Sequence, residues 1–226
     1  VEFPALASSE ALIRVSSISL NLGEVRRALT MADAGWRPGW DIAGTVEKAA
    51  ADGSGPKTGA RVVGLVPFGG WAALVPVPTI SLAELPATVS FAQASTLPVA
   101  GLTALYALRQ GGFLLGKSVL VTGASGGVGH LGCQLARQAG ARVIASVRSA
   151  ERVAVAKEAG AHEVAIGADL SSAAALGPYD VILESVGGRS LTNALTLLAQ
   201  DGVCVLYGVS ESPEVSFEAR RFMMIG

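Results

Sequence analysis

The sequence has little charge and few of the side chains that build metal sites or disulfides. Only 15% of its 226 residues are charged and 50% are hydrophobic, which excludes a disordered chain. The 17 Lys and Arg nearly balance the 18 Asp and Glu, and no run of like charge occurs, so nucleic acids and acidic membrane surfaces are not expected as partners. Cys133 and Cys204 lie far apart in apolar segments, where each is most simply a small hydrophobic side chain. This composition predicts a cytoplasmic protein.

The pattern also lacks a leader and a membrane span. No basic segment followed by an apolar one opens the chain, and it does not begin with Met, so we expect its first residues to be absent rather than removed as a signal. Two uncharged stretches, residues 62–83 and 85–108, are long enough to cross a bilayer. Prolines and glycines interrupt both, so neither is expected to span a membrane.

Two hydrophobic patterns divide the chain. Up to about Leu97, short β-branched or alternating runs are separated by Gly and Pro clusters, which predicts an all-β module. From about Val99, nearly continuous apolar strands alternate with amphipathic helices, which predicts a parallel sheet covered on both faces, a doubly wound α/β domain. The predicted strands are 11–16, 42–47, 61–65 and 71–75 in the first part and 118–122, 142–147, 163–166, 180–183 and 203–207 in the second, with helices near 128–139, 151–159 and 191–198.

A glycine-rich turn follows the first strand of the second part and opens a helix. The turn consists of Gly123, Ala124, Ser125, Gly126, Gly127, Val128 and Gly129. Glycines there let the strand turn sharply, let the backbone approach a pyrophosphate at the positive end of the helix, and let the helix pack closely on the strand. Ala124 takes the place of the first glycine in the G-x-G-x-x-G pattern. Between a strand and a helix, this segment predicts dinucleotide binding rather than a purely structural turn.

The end of the second strand of this domain indicates which dinucleotide is bound. An NAD site has Asp or Glu about 20 residues after the turn, where it binds the ribose 2′-hydroxyl. This chain instead has Ser146, Arg148 and Ser149, with Arg152 one helical turn further. Two guanidinium groups suit a 2′-phosphate, so NADPH is the predicted cofactor. The alternative is that both arginines are solvated surface charges.

Three motifs in order resemble the medium-chain dehydrogenase/reductase superfamily, in its quinone oxidoreductase branch. They are residues 38–47, 97–108 and 119–129. Short-chain dehydrogenases share the letters of the glycine turn, but in that family the turn lies near the chain start and a Tyr-x-x-x-Lys pair follows. Here more than a hundred residues precede the turn, and no Tyr has Lys four residues on.

The resemblance implies an architecture and a missing segment. A GroES-like catalytic module is expected over residues 1–98, and a Rossmann dinucleotide-binding domain over 99–226. Such proteins begin earlier and continue well beyond Met224-Ile225-Gly226. We therefore expect the C-terminal part to be missing, because a parallel sheet without its last strand leaves an unpaired edge. A homodimer formed through the cofactor domain is also implied.

Zinc ligands are missing from the first module. Zinc alcohol dehydrogenases of this superfamily need Cys, His and Glu ligands there, whereas this chain has no Cys or His before His130. Four-coordinate zinc is therefore excluded on ligand count, and no metal site is predicted. His130 and His162 are expected at the surface or in packing, and no Ser-His-Asp arrangement is indicated.

Several site residues are implied by the resemblance alone. Asn21 and Thr103 match family positions near the nicotinamide, where an amide and a hydroxyl can hydrogen-bond the carboxamide or a substrate oxygen. The alternatives are an Asx-turn for Asn21 and a helix-interior role for Thr103. Asp41 matches an acidic family position whose role without zinc is expected to be structural. Gly208 and Val209 follow the fifth strand, at the sheet edge where such folds bind cofactor.

Without a metal to polarise a carbonyl, the simplest chemistry is hydride transfer to a substrate that is already electrophilic. The sequence thus predicts an NADPH-dependent oxidoreductase acting on a small apolar quinone or α,β-unsaturated carbonyl. Two alternatives stay open. One is a stand-alone enoyl-thioester reductase of the polyketide type, and the other is a non-catalytic NADPH-binding protein.

Overall fold

The computed structural model describes residues 5–220. The chain divides after Ala100 into two compact units, two residues after the predicted boundary at residue 98. Within the described residues, no helix has the length and apolar content needed to cross a membrane.

The first unit is built on an antiparallel five-stranded sheet with the order β4-β1-β2-β3-β5. Its core is apolar and comes from alternate strand positions, as expected for a sheet with one buried face. The strands are β1 (Glu10–Ile18), β2 (Asp41–Lys48), β3 (Arg61–Leu65), β4 (Leu74–Pro78) and β5 (Leu82–Glu84). The predicted strand at 71–75 was therefore placed too early. Strand β4 continues through Pro76 and Pro78, because it is an edge strand, where proline is tolerated.

The first part is β-rich, as predicted, but it is not all β. Helix α1 spans Leu22–Thr30, and the short helix α2 spans Phe91–Ser95. Leu22, Val25 and Leu29 follow the i, i+3, i+7 spacing of a helix, a signal that the prediction overlooked. Leu22 and Leu29 are nevertheless exposed, and the one buried side chain of α1 is Glu24.

The second unit is a doubly wound α/β domain, as predicted. All five strands are parallel, in the order β10-β9-β6-β7-β8. Its elements are α3 (Leu102–Arg109), β6 (Ser118–Val121), α4 (Gly127–Gln138), β7 (Arg142–Val147), α5 (Val153–Glu158), β8 (Glu163–Ile166), β9 (Tyr179–Glu184), α6 (Gly188–Thr196) and β10 (Leu198–Leu206). The chain winds outward from β6 to β8 and then returns to β9 on the other side. The carboxyl ends of β6 and β9 therefore flank the topological switch point, where ligands bind in such sheets.

The central strand β6 shows why the strands of this unit appear in the sequence as nearly continuous runs of apolar residues. Val119 and Val121 pack into the core on one face of the sheet, and Leu120 packs into the core on the other. All three are fully buried. Because helices cover both faces, these three successive positions all carry apolar side chains.

Candidate functional site

The glycine turn lies between β6 and α4, and its backbone leaves little room for side chains. Gly123 has a positive φ of 58°, which favours glycine. A Cβ at Gly129 would lie 2.4 Å from the Gly123 carbonyl oxygen, so a side chain there would collide with the turn. At Gly126 the same construction gives 3.3 Å, and the residue is exposed. Fold packing thus requires glycine at Gly129, while the open face at Gly126 is available to a ligand.

The N-terminus of α4 can receive an anion. Within the part of the chain that the structure describes, no side chain caps this end at Gly126. The first N–H groups of a helix have no partner inside the helix, and the helix dipole places partial positive charge there. An uncapped helix end behind a tight glycine turn is an arrangement that suits a phosphate group.

Backbone and side-chain contacts join the turn to the strands on both sides. The Ala124 N–H donates to the Ser146 carbonyl oxygen at the end of β7 (3.2 Å), and the Ala124 methyl group is fully buried in the core. On the other side, the Ser185 N–H donates to the Thr122 hydroxyl oxygen (2.9 Å). A Cβ on Gly123 would lie 2.7 Å from the Ser185 hydroxyl oxygen. The turn therefore sits directly between the carboxyl ends of β7 and β9.

The residues after β7 present exposed positive charge. Arg148 and Arg152 are both exposed, and neither has a partner among residues 5–220. The Arg152 N–H donates to the Ser149 carbonyl oxygen (3.1 Å), which forms the short helical turn that carries Arg152. The one acid of this segment is Glu151, which is exposed. Both guanidinium groups are thus free to meet an anion beside the turn.

Gly208 and Val209 also reach this end of the sheet. A Cβ on Gly208 would lie 3.1 Å from the Ser185 carbonyl oxygen, so the segment after β10 passes closely over the end of β9. The Ser210 N–H donates to that same oxygen (3.1 Å). The structure thus brings the predicted turn, Ser146 and Gly208 to one edge.

Sequence reasoning missed two residues that organise this edge, Glu184 and Ser185. Glu184 is fully buried, and its carboxylate accepts from the Gly187 N–H (2.9 Å), the Val186 N–H (3.0 Å) and the Ser190 hydroxyl (2.7 Å). These bonds fix the start of α6. The available signal was a charged residue directly after the apolar run Val181–Leu183, since a buried carboxylate must find hydrogen-bond donors.

In the first unit, Asn21 lies in a cluster of buried acids. Its Nδ2 group donates to Asp41 Oδ2 (2.7 Å) and to Glu24 Oε1 (2.9 Å), and its backbone N–H also donates to Glu24 Oε1 (2.8 Å). Asp41 Oδ1 accepts from the Val99 N–H (2.8 Å). Burial raises the pKa of the Asp41 carboxyl, and the Glu24 carboxylate raises it further, although hydrogen bonds from Asn21, Val99 and Ser19 oppose the shift. Both N–H groups of the Asn21 amide are therefore committed, and the Asn21 side chain also accepts from the Glu24 backbone N–H in the capping box of α1. A second lone pair on the amide oxygen is what remains for a ligand.

Thr103 belongs to the second unit, in the first turn of α3. It is half-buried, and its hydroxyl has no hydrogen-bond partner among the residues that the structure describes. A hydroxyl in this state can both donate to and accept from a ligand. Helical backbone precedes it at Leu97–Gly101, so the helix-interior role stays open as its alternative.

The remaining polar candidates hold no metal cluster. Within residues 5–220, no three His, Cys, Asp or Glu side chains form a group that could bind a metal ion. His130 contacts Gln134 (3.0 Å between ring and amide nitrogens), and His162 Nδ1 accepts from the Val143 N–H (2.9 Å). Burial raises the pKa of Cys133 to about 12, so its sulfur is a thiol at neutral pH.

Comparisons with known proteins identify the class to which this fold and site belong. The family described as "Alcohol dehydrogenase GroES-like domain" matches residues 7–87, and the family described as "Zinc-binding dehydrogenase" matches residues 127–225. A GroES-like unit followed by a Rossmann-like unit defines a dehydrogenase/reductase of the medium-chain type. The chain belongs to the medium-chain dehydrogenase/reductase superfamily, which confirms the predicted family.

Within this superfamily, the chain is similar to quinone oxidoreductases and to an enone reductase. A 2-methylene-furan-3-one reductase of Solanum lycopersicum and a quinone oxidoreductase of Rattus norvegicus are each 32% identical over 96% of this chain. The solved quinone oxidoreductase of Thermus thermophilus, which is described with its complex with NADPH, is 33% identical over all of this chain and 72% of its own, with a TM-score of 0.85. The chain spans 60% of the length of the Solanum relative and 69% of the Rattus relative.

Proposed function

We propose that this chain is the larger part of an NADPH-dependent oxidoreductase that reduces quinones or α,β-unsaturated carbonyls without zinc. The observation that carries the proposal is the meeting of the glycine turn, the uncapped start of α4 and the ends of β7, β9 and β10 at one sheet edge. The names of the Solanum and Rattus relatives support the substrate class, because a furanone with an exocyclic methylene group is an enone and the other substrate is a quinone.

The residues at this edge fit a nicotinamide dinucleotide. The open face at Gly126 and the N–H groups at the start of α4 would receive the pyrophosphate, because no described side chain fills that space. Gly208 and Val209 would border the same ligand over the end of β9. When bound, a reduced nicotinamide supplies the hydride, and the protein contributes binding and orientation.

The preference for NADPH over NADH rests on the segment after β7. Arg148 and Arg152 are exposed and unpaired within the described residues, and the buried Ser146 stands where an NAD site would have an acid. A guanidinium group binds phosphate oxygens through charge-assisted hydrogen bonds, whereas it gains little from a neutral 2′-hydroxyl. The complex of the Thermus relative with NADPH is consistent with this preference.

The substrate-binding residues that we propose are Asn21 and Thr103. Asn21 would accept a hydrogen bond through its amide oxygen, since its two N–H groups are taken by Glu24 and Asp41. It therefore suits a donor such as a carboxamide N–H group, and it does not suit a carbonyl oxygen that needs polarisation. Thr103 keeps a free hydroxyl that can donate to such an oxygen. Dimer formation and a cytoplasmic location stay predictions.

A turnover assay with the purified chain tests this function. Oxidation of NADPH and of NADH is followed with a panel of quinones, small enones and an enoyl thioester. Turnover of quinones or enones with NADPH is expected, and turnover restricted to the enoyl thioester would favour the polyketide-type alternative. Tight NADPH binding with no turnover of any member would contradict the proposed activity and leave a binding protein.

A further inference from the structure

The amide nitrogen of Asn21 lies between two buried acids. Its Nδ2 group donates to Asp41 Oδ2 (2.7 Å) and to Glu24 Oε1 (2.9 Å). Both acids are fully buried, so water does not compete for these hydrogen bonds. If the amide were reversed, its oxygen would face two acceptor oxygens, and repulsion would replace both bonds. The two acids therefore determine that the nitrogen points to them and that the oxygen is the atom left for a ligand.

Asp41 is itself held in place by backbone. Its other oxygen, Oδ1, accepts from the Val99 N–H (2.8 Å), and the Ser19 hydroxyl is a further hydrogen-bond partner of the carboxyl group. Val99 lies in the π-helical segment Leu97–Gly101. A backbone N–H group can donate but cannot accept, whereas a side-chain amide can present either of its ends. Both oxygens of Asp41 thus accept, and the Val99 N–H is the partner whose role is fixed.

Glu24 differs from Asp41 in this respect. Glu24 Oε1 accepts from both the backbone N–H (2.8 Å) and the Nδ2 group of Asn21. Glu24 Oε2 is buried and has no hydrogen-bond partner among the residues that the structure describes. An amide nitrogen could therefore take the place of Glu24 Oε2 without meeting a donor. Neither oxygen of Asp41 could be replaced in this way, because each one accepts an N–H group.

We propose that Asp41 sets the orientation of the Asn21 amide, and that the oxygen presented in this way selects a ligand group with a hydrogen-bond donor. Asp41 is a positioning residue in this account, because it acts through Asn21. The carboxamide N–H of a nicotinamide is a donor of this kind. That choice of ligand rests on the proposed function, whereas the orientation of Asn21 depends only on contacts within the unliganded chain.

Two substitutions that each replace a carboxyl group by an amide test the orientation. In Asp41→Asn the new oxygen must face the Val99 N–H, so the new nitrogen faces Asn21 Nδ2 and two donors meet. In Glu24→Gln, the matched control, an oxygen can stay at the Oε1 position. In NMR spectra of the unliganded chain, the Asn21 side-chain N–H signals should shift and exchange faster with solvent in Asp41→Asn, and should be retained in Glu24→Gln. Unchanged Asn21 signals in folded Asp41→Asn protein, or equal changes in both variants, would overturn the proposal.

A cofactor analogue tests the selection in wild type, so this test does not require a variant to fold. The acetylpyridine analogue of NADPH has a methyl ketone in place of the carboxamide and therefore lacks the N–H donor. Wild type should bind NADPH roughly 2- to 12-fold more tightly than the analogue, which is the range for one neutral hydrogen bond. The chemical shift of the Asn21 side-chain carbonyl carbon should change with NADPH and stay unchanged with the analogue. Folded Asp41→Asn protein should lose this discrimination, an effect that a purely structural role of Asp41 would not produce.

The outcomes separate this proposal from the proposed function. Equal affinity of wild type for NADPH and its analogue, with equal shifts at Asn21, would overturn the selection of a donor. Failure to bind either one would refute the proposed function, and the unliganded wild type would still decide the orientation. There, a coupling across the hydrogen bond between Asn21 Nδ2 and the Asp41 carboxyl carbon is expected, and its absence would overturn the proposal.

Discussion

The two units build their candidate sites from different materials. In the second unit, the site consists mainly of backbone: a glycine turn, a helix N-terminus and the ends of four parallel strands. In the first unit, it consists of side chains, with Asn21 held between two buried acids. A site made of backbone needs room for the ligand to approach, and the glycines that provide this room are visible in the sequence. A side-chain cluster depends on long-range contacts, and the 20 residues of separation between Asn21 and Asp41 give no comparable signal.

Replacement of Gly129 by Val should produce the largest effect and would damage the second unit itself. The new Cβ would lie 2.4 Å from the Gly123 carbonyl oxygen and 2.8 Å from the Ala124 Cα, and these backbone atoms of the turn cannot move aside as a flexible side chain could. We expect a loss of about 3 kcal/mol or more in the free energy of unfolding, together with loss of dinucleotide binding. Denaturant titration followed by circular dichroism measures the first effect, and fluorescence titration with NADPH measures the second.

The matched variant Gly126→Val separates the ligand from the fold. Its Cβ meets one backbone oxygen at 3.3 Å and otherwise points into open space. The variant should therefore fold, but its branched side chain would fill the space proposed for the pyrophosphate and abolish NADPH binding. Unchanged NADPH affinity in folded Gly126→Val protein would remove this turn from the site.

The second prediction concerns the choice of cofactor. A charge-assisted hydrogen bond contributes about 1.5–3 kcal/mol, which corresponds to roughly 10- to 150-fold in affinity. Arg148→Ala should weaken NADPH binding by at least about tenfold and leave NADH binding nearly unchanged, with a smaller effect for Arg152→Ala. Arg148→Asp should favour NADH, because it repels the 2′-phosphate and accepts from a 2′-hydroxyl. Titration calorimetry with both cofactors measures this, and equal weakening of the two would refute the assignment.

The two units also differ in how well their sequences predicted them. All five strands of the second unit were predicted, and β7 and β8 match the predicted bounds, because continuous apolar runs between glycine signals reflect burial on both faces. Helix α3 was not predicted, and β10 begins at Leu198, five residues before the predicted strand. In the first unit α1 was missed, although its apolar residues follow a helical spacing, and its one buried residue is a glutamate. The local pattern of hydrophobic residues predicts which apolar side chains are buried. It does not predict buried polar contacts between residues that are distant in sequence.

The third prediction concerns the pH dependence of stability. Burial raises the pKa of Asp41 in the folded state, so its favourable contribution is complete below the ordinary Asp value and is lost as pH rises through the raised pKa. Because the Asp41 side chain is fully buried, salt in the solvent should screen this contribution only weakly. The exposed Asp52 has the opposite sign, because Ser54 lowers its pKa and its contribution is lost as pH falls.

Unfolding titrations from acid to neutral pH measure this dependence. The free energy of unfolding of wild type should contain a component that declines as pH rises, and Asp52→Asn should retain it. Glu24→Gln should reduce it, since the variant removes the charge that acts on Asp41. A decline of equal size in Glu24→Gln would show that the component arises elsewhere.

The smallest effect is expected from metal removal, which tests the candidate sites of both units. One site consists of backbone and the other of Asn21 and buried acids, and within residues 5–220 no group of three ligating side chains is present that could hold zinc. Bound zinc needs four ligands in a structural site and three in a catalytic one. Exhaustive chelation followed by dialysis should therefore leave the thermal unfolding midpoint, NADPH affinity and turnover unchanged.

Elemental analysis of the purified chain is the decisive control. Stoichiometric zinc whose removal lowers activity would mean that ligands outside the described residues complete a site, and hydride transfer to an already electrophilic substrate would no longer be the simplest chemistry.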